Sequence, residues 1–292
     1  MAASQLTCVL DARAQLGESP FWSTRERVLY WVDINGPSLN RFDPATGRNT
    51  AIPMPESIGC VAPRELRGFI VALRGGIWLA HPDGTLDRKV LAAPYDPAHH
   101  RFNDGRCDRR GRFFAGTMNE RRDAPSAALL RVDLDGTMSQ ALGGLTVSNG
   151  LAWSPDGRTM YHADTPMLTV RAYDYDPATG VPSNPRVFAQ WIDENDRPDG
   201  GAVDSAGNYW IALYRGGRIV QLSPSGEALA EYDVPAMCPT MCAFGGPDLK
   251  TLYVTTARQM RDADELARLP HSGGIFAMRV DVPGLPEPAF AG

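Results

Sequence analysis

Glu18, Asn103, Asn149 and Asp199 occupy one place in four copies of an internal repeat, and each offers oxygen to a ligand. Glu18 and Asn149 each stand 12 residues before a strand tyrosine, Tyr30 and Tyr161 (30 − 18 and 161 − 149). Asn103 and Asp199 each stand 10 before an aromatic residue, Phe113 and Tyr209 (113 − 103 and 209 − 199), a two-residue difference that turn length would account for. Equivalent positions of a circular repeat converge on one axis, where carboxylate and amide oxygens suit a hard cation. A carboxylate at a crowded axis is costly unless neutralised or coordinated, which favours a ligand site over a channel mouth lined with ordinary polar residues. The same count gives Gly59 or Cys60 in a second unit and Met241 in a sixth, so four units bring oxygen and two do not.

The elements that carry these residues are short strands set off by turns. Six apolar and aromatic cores recur: Leu29-Tyr30-Trp31, Phe69-Ile70-Val71, Phe113-Phe114, Met160-Tyr161, Tyr209-Trp210-Ile211 and Leu252-Tyr253-Val254. Before each lies a turn, such as Asp156-Gly157 or Pro247-Asp248, whose residues supply the backbone angles a hairpin needs. Asp43-Pro44-Ala45-Thr46-Gly47 and Asp176-Pro177-Ala178-Thr179-Gly180 are identical and 133 residues apart (176 − 43), about three repeats of a length in the range of propeller blades. Asp133-Leu134-Asp135-Gly136 lacks the further acidic positions of a calcium loop and reads as a turn. The pattern predicts an all-β ring of six units in a single domain over 1–292. Its last unit has chain for only three strands, ending in Gly273–Val280, and is expected to be completed by Leu6-Thr7-Cys8-Val9-Leu10 from the N-terminus, which removes an exposed edge.

Composition narrows the function. A net charge of −5 without a basic cluster argues against nucleic acid. No apolar run approaches the length that spans a bilayer, and Met1-Ala2-Ala3-Ser4-Gln5 lacks the basic start and apolar core of a secretory leader, so no membrane partner and a cytoplasmic location are expected. Five cysteines, Cys8, Cys60, Cys107, Cys238 and Cys242, are odd in number and read as buried thiols; Cys238-x-x-x-Cys242 has no second pair to complete a zinc site. The chain has no His-Glu-x-x-His, no Gly-x-Ser-x-Gly elbow and no phosphate-cradling glycine loop.

Leu16-Gly17-Glu18-Ser19-Pro20-Phe21-Trp22, Arg101-Phe102-Asn103-Asp104-Gly105, Phe114-Ala115-Gly116-Thr117-Met118, Ser148-Asn149-Gly150-Leu151-Ala152-Trp153 and Pro198-Asp199-Gly200-Gly201 resemble, in order and spacing, the signature segments of the SMP-30/gluconolactonase/regucalcin-like family. The likeness continues through Phe244–Leu249 and Thr251–Thr256 and covers nearly the whole chain. It implies a six-bladed β-propeller, one divalent cation near the channel mouth, and hydrolysis of sugar-acid lactones. By position in the motifs, Glu18, Asn149 and Asp199 match the family's metal ligands, and Arg101 and Asn103 its substrate contacts. Where some members carry an acidic pair after the third segment, this chain has Asn119-Glu120-Arg121, so sugar preference is not carried across. Glu120 and Arg121 are candidates for substrate contact, with a solvated loop as the competing reading.

Lactone opening needs charge stabilisation at the carbonyl oxygen and a base for water. Asp199 is expected to be both ligand and base, with Arg101 and Asn103, two apart on an extended segment, facing the substrate together. Calcium is favoured by ligand type; magnesium, manganese, iron(II) and zinc also accept such oxygens. The expected partner is a small sugar lactone and the expected state a monomer. Two other classes stay open: a propeller hydrolase of phosphotriesters or non-sugar lactones, and a noncatalytic calcium-binding regulatory protein.

Overall fold

The computed structural model describes residues 5–292; Met1 to Ser4, most of the segment read above for a leader, lie outside the described residues. Six four-stranded antiparallel sheets form a ring, a six-bladed β-propeller. The innermost strands are Gly17–Ser23, Ile58–Pro63, His100–Cys107, Ser148–Trp153, Arg197–Val203 and Pro239–Gly245, taken here as blades one to six. The second strands, Val28–Asp33, Phe69–Leu73, Phe113–Asn119, Thr159–Asp164, Tyr209–Tyr214 and Thr251–Thr256, contain all six apolar cores of the repeat.

Their continuous apolar character follows from position. A second strand is sandwiched between neighbouring blades and buries both faces, as Val28–Asp33 does throughout, whereas an outer strand such as Ala228–Asp233 alternates toward solvent. Aromatic side chains bridge most blade boundaries. Tyr30 meets Phe69 edge-on with centroids 5.0 Å apart, Phe114 meets Trp153 at 5.2 Å, Tyr161 meets Tyr209 at 4.9 Å, Trp210 meets Phe244 at 5.8 Å, and Trp22 stacks on Tyr253 at 5.8 Å.

The ring closes as expected. Thr7–Leu10 pairs with Ile275–Arg279, aligning Thr7 with Ala277 and Cys8 with Phe276, so the N-terminal strand is the fourth strand of blade six. The two identical pentapeptides make the same turn: Asp43 Oδ1 accepts from Ala45 N at 2.9 Å, Asp176 Oδ1 accepts from Ala178 N at 2.9 Å, and Gly47 and Gly180 both adopt φ of 72°. All five cysteines are free thiols, four buried and Cys8 only half-buried, contrary to a uniformly buried set. Among the described residues no helix is long and apolar enough to cross a membrane.

Two features had no sequence signal. Asp262–Arg268 contributes a single capped helical turn, Ala263–Arg268, between two strands of blade six. The last residues cross the end of the ring where first strands turn into second strands: Ser205 N donates to Pro283 O, Phe290 N to Pro63 O, and Ala291 N to Gly111 O. This tail ties blades five, two and three together and buries Phe290.

The closing strand provides a direct test. Leu6, just ahead of it, is 2% exposed and packs with Val254, Phe276 and Met278, whereas Val9 is 38% exposed. Leu6→Ala is expected to lower unfolding free energy by about 2–5 kcal/mol and Val9→Ala by no more than about 0.5 kcal/mol, read from urea denaturation. Equal effects would mean that the strand is not docked.

Candidate functional site

Every innermost strand slips its register against the second strand near its start, at Glu18/Phe21, Ile58/Cys60, Phe102/Gly105, Asn149/Ala152, Pro198/Gly201 and Pro239/Met241. A bulge re-aims the side chain beside it. Glu18 and Asn149 are the last paired residues before the slip, while Asn103 and Asp199 are the first inside it. Turn length does not explain the counts of 12 and 10, because the intervening turns, 24–27, 108–112, 154–158 and 204–208, differ by at most one residue. Tyr30 and Tyr161 are third in their strands and Phe113 and Tyr209 first, and all four site residues stand 10 before the start of their second strand (28 − 18, 113 − 103, 159 − 149 and 209 − 199). In blade six the residue inside the slip is Thr240, one before the expected Met241. The bulge backbone is unusual where Ser19 and Gly150 take φ of 48° and 64°; at Gly150 a Cβ would also stand 2.7 Å from the Tyr209 hydroxyl.

Glu18, Arg101, Asn103, Asn149 and Asp199 all line one cleft, with exposures from 3% for Asn149 to 7% for Arg101. Period-two alternation adds a second layer, because the residues two before each, Leu16, Arg101, Val147 and Arg197, line the same cleft. Arg197 was therefore legible by the rule that placed Arg101 beside Asn103. Thr165, Arg122, Tyr214 and Gln259 also line it and carried no pattern. Glu120 does not line it. Its carboxylate takes both ends of the Arg74 guanidinium, at 2.7 and 2.9 Å, and stands 3.7 Å from Arg101 Nε. Arg121 is exposed, its backbone N–H bonded to Asn119 Oδ1 at 3.0 Å.

A directional hydrogen-bond relay joins the site across three blades. Arg101 Nη1 donates to Asn103 Oδ1 at 2.7 Å, Asn103 Nδ2 to Asn149 Oδ1 at 2.8 Å, and Asn149 Nδ2 to Thr165 Oγ1 at 2.7 Å. Thr165 Oγ1 then donates to the carbonyl of Pro198, next to Asp199, at 2.8 Å. Each amide is thereby fixed in orientation, and Asn149 presents a carbonyl oxygen with a lone pair to spare.

The carboxylates are held less comfortably. Burial, then repulsion from Asp104, pushes the Glu18 carboxyl up to about 8, against a bond from Ser19 N and the charge of Arg101. Burial, then Glu18 and Asp104, holds Asp199 well above the carboxylate range, opposed by Arg101 and Arg122. Among the described residues Asp199 accepts no hydrogen bond, and Glu18 accepts only the one from Ser19. No three His, Cys, Asp or Glu side chains among the described residues gather to hold a metal, so a cation here would rest on two carboxylates and an amide. That donor set fits a hard divalent ion, which would relieve the mutual repulsion of Glu18 and Asp199.

The family described as the SMP-30/Gluconolactonase/LRE-like region matches residues 16–258. The chain belongs to this family. Its relatives in the family include the 6-deoxy-6-sulfogluconolactonase of Pseudomonas putida, 48% identical over 98% of this chain and 99% of that one. Regucalcin of Xenopus laevis is 33% identical over the full length of both. The crystal structure of a calcium-binding protein, regucalcin, from Agrobacterium tumefaciens superimposes with a TM-score of 0.92 at 27% identity, covering 97% of this chain and 96% of that one.

A proton linkage follows from the charge state of this family member's cleft. Because burial raises the proton affinity of both Glu18 and Asp199, a cation that took them as ligands would displace protons, and its affinity is expected to fall as pH drops, by up to about tenfold per unit for each proton displaced. Calorimetry in buffers of different ionisation enthalpy is expected to register about one to two protons released per cation at pH 7. Zero release would show that the cation displaces no proton from Glu18 or Asp199.

Proposed function

We propose that this chain hydrolyses sugar-acid lactones to aldonic acids, with one divalent cation held by Glu18, Asn149 and Asp199. The observation that carries this reading is the meeting, in one cleft, of two buried carboxylates, an oriented amide oxygen and the Arg101 guanidinium. The 48% identity with a 6-deoxy-6-sulfogluconolactonase supports the substrate class, and similarity to a regucalcin described as a calcium-binding protein supports a cation, calcium being favoured over magnesium, manganese, iron(II) and zinc.

When bound, the cation supplies positive charge that stabilises the lactone carbonyl oxygen as it becomes an oxyanion. Asp199, which no protein donor engages, takes a proton from water as the water oxygen attacks the acyl carbon. It returns that proton to the ring oxygen as the acyl C–O bond breaks, leaving the open-chain acid. Arg101 and Asn103 hold the polar edge of the substrate in a defined orientation. Glu120 acts on Arg101, because the Arg74–Glu120 pair fixes the guanidinium from behind at 3.7 Å.

Asp199→Asn is expected to lower kcat by about 100-fold to 10,000-fold, measured by acid release in a pH-stat; near-normal turnover with metal retained would remove Asp199 from the mechanism. Arg101→Ala is expected to act mainly on KM, and unchanged kinetics on every lactone tested would exclude it from the site. For the reading as a whole, metal-free protein is offered aldonolactones with calcium, magnesium, manganese, iron(II) or zinc restored singly. Acid production that returns with one cation supports it. No rate above spontaneous opening, with metal shown to be bound, favours a noncatalytic cation-binding protein.

A further inference from the structure

Two arginines face the site without a carboxylate partner. Arg197 leaves its strand on the cleft side two residues before Asp199, and Arg122 reaches the same cleft from the segment after Phe113–Asn119, where its φ is 56°. Beyond Thr165 the cleft continues into a hollow of about 390 Å³ lined by Arg122, Thr165, Pro166, Leu168, Glu194 and Arg197. Several arginines elsewhere are paired, as Arg74 is with Glu120, Arg112 with Asp108, Arg218 with Asp196 and Arg279 with Asp248. Among the described residues neither Arg122 nor Arg197 has an ion-pair partner within 4.0 Å. Glu194 offers Arg197 its backbone carbonyl, at 2.9 Å from Nε. Burial and the neighbouring charges of Arg215 and Arg122 make the Arg197 guanidinium hold its proton less tightly than usual, and the attraction of Glu194 offsets this crowding of like charge only in part.

Paired guanidiniums at the rim of a cleft are matched by an oxyanion, which their planar donor forks bind in two-point fashion. The hollow starts one side chain from the proposed carbonyl position, since Thr165 bonds Asn149 directly at 2.7 Å and lines both spaces. We propose that Arg122 and Arg197 form a subsite for an anionic group, sulfonate, phosphate or carboxylate, carried on the lactone's terminal carbon away from the ring carbonyl. The inference rests on the lactonase reading and sharpens it to a substrate class. Binding energy from this remote group anchors the ring over Asp199, and the positive rim draws an anionic substrate to a protein whose net charge is −5.

The test uses metal-loaded protein and gluconolactones matched except at carbon 6, which bears hydroxyl, sulfonate, phosphate or carboxylate. At least one anionic lactone is expected to exceed the hydroxyl compound by tenfold or more in kcat/KM, mostly through KM, and to lose that advantage as salt rises. The ranking of the three identifies the anion. In Arg122→Gln/Arg197→Gln the ratio of anionic to neutral kcat/KM is expected to fall at least tenfold, and Arg197→Lys to retain part of it. A wild-type ratio near one, with both kinds of lactone turned over, overturns the subsite and leaves the lactonase reading intact. No turnover of any lactone overturns the lactonase reading; calorimetric affinities for aldonates with and without the terminal anion then decide the subsite, and equal affinities overturn it.

Discussion

Buried negative charge governs the arrangement of the inner end of this propeller. Glu18, Asp104 and Asp199 are all nearly inaccessible to water; Asp104 raises the proton affinity of both others, and Glu18 that of Asp199. A core assembled for stability alone would avoid this, because desolvated carboxylates recover little unless a counter-charge is placed beside them. Arg101 acts on Glu18 and Asp199, Arg122 adds to it at Asp199, and Arg106 is shared between Asp104 and Glu287, while Arg101 itself is desolvated enough to lose proton affinity. The remaining deficit of positive charge is what the proposed divalent cation would meet. It also accounts for the free Asp199 oxygens, since a carboxylate already satisfied by backbone donors would have little left for a cation or a proton.

The relay from Arg101 to Pro198 separates the tasks of two chemically identical residues. The Asn103 oxygen faces a guanidinium at 2.7 Å, so a second cation there would be repelled. The Asn149 oxygen faces only the neutral Asn103 amide at 2.8 Å and keeps a lone pair for positive charge. Two of the four links, Asn103 to Asn149 and Thr165 to Pro198, cross a blade boundary, so the orientation of the amides depends on how neighbouring blades pack. Aromatic contacts such as Tyr161 on Tyr209, between blades four and five, thereby help to keep Asn149 and Asp199 in a fixed relation. Rigidity is placed under the site in this way, while the residues proposed to meet substrate stand at strand starts, where backbone is free to bulge.

The six second strands, the closing strand and the meeting of Glu18, Asn103, Asn149 and Asp199 were legible in the sequence because their causes are local and repeated. Turn residues fix where a strand begins, and burial on both faces writes itself as a run of apolar residues. The bulges were not legible. A slip of register changes which atoms pair without demanding a particular residue, so no spacing reports it: all four site residues stand 10 before the start of their second strand, whether last before the slip or first inside it. Glu120 was expected among the substrate contacts, yet its main partner is Arg74, on another blade and 46 residues away. No periodicity within a repeat reports such a contact. Arg197 lay within reach of the alternation rule, and only attention to acidic and amide residues kept it from view.

The tail gives the site its polarity. First strands begin at the cleft and end at the turns that Pro283–Ala291 bridges, so the tail lies at the far end of the same strands. Arg106, further along the strand that bears Arg101 and Asn103, stands 3.9 Å from Glu287 of the tail, and Phe290 joins the apolar cluster that includes Phe102. A substrate therefore has the other mouth for approach, where Arg122 and Arg197 stand at the rim. Because Phe102 separates Arg101 from Asn103 in sequence, packing by Phe290 supports the strand whose polar side chains begin the relay. The far end thus constrains the chemistry at the near end through the stiffness of one strand, with no side chain of the tail lining the cleft.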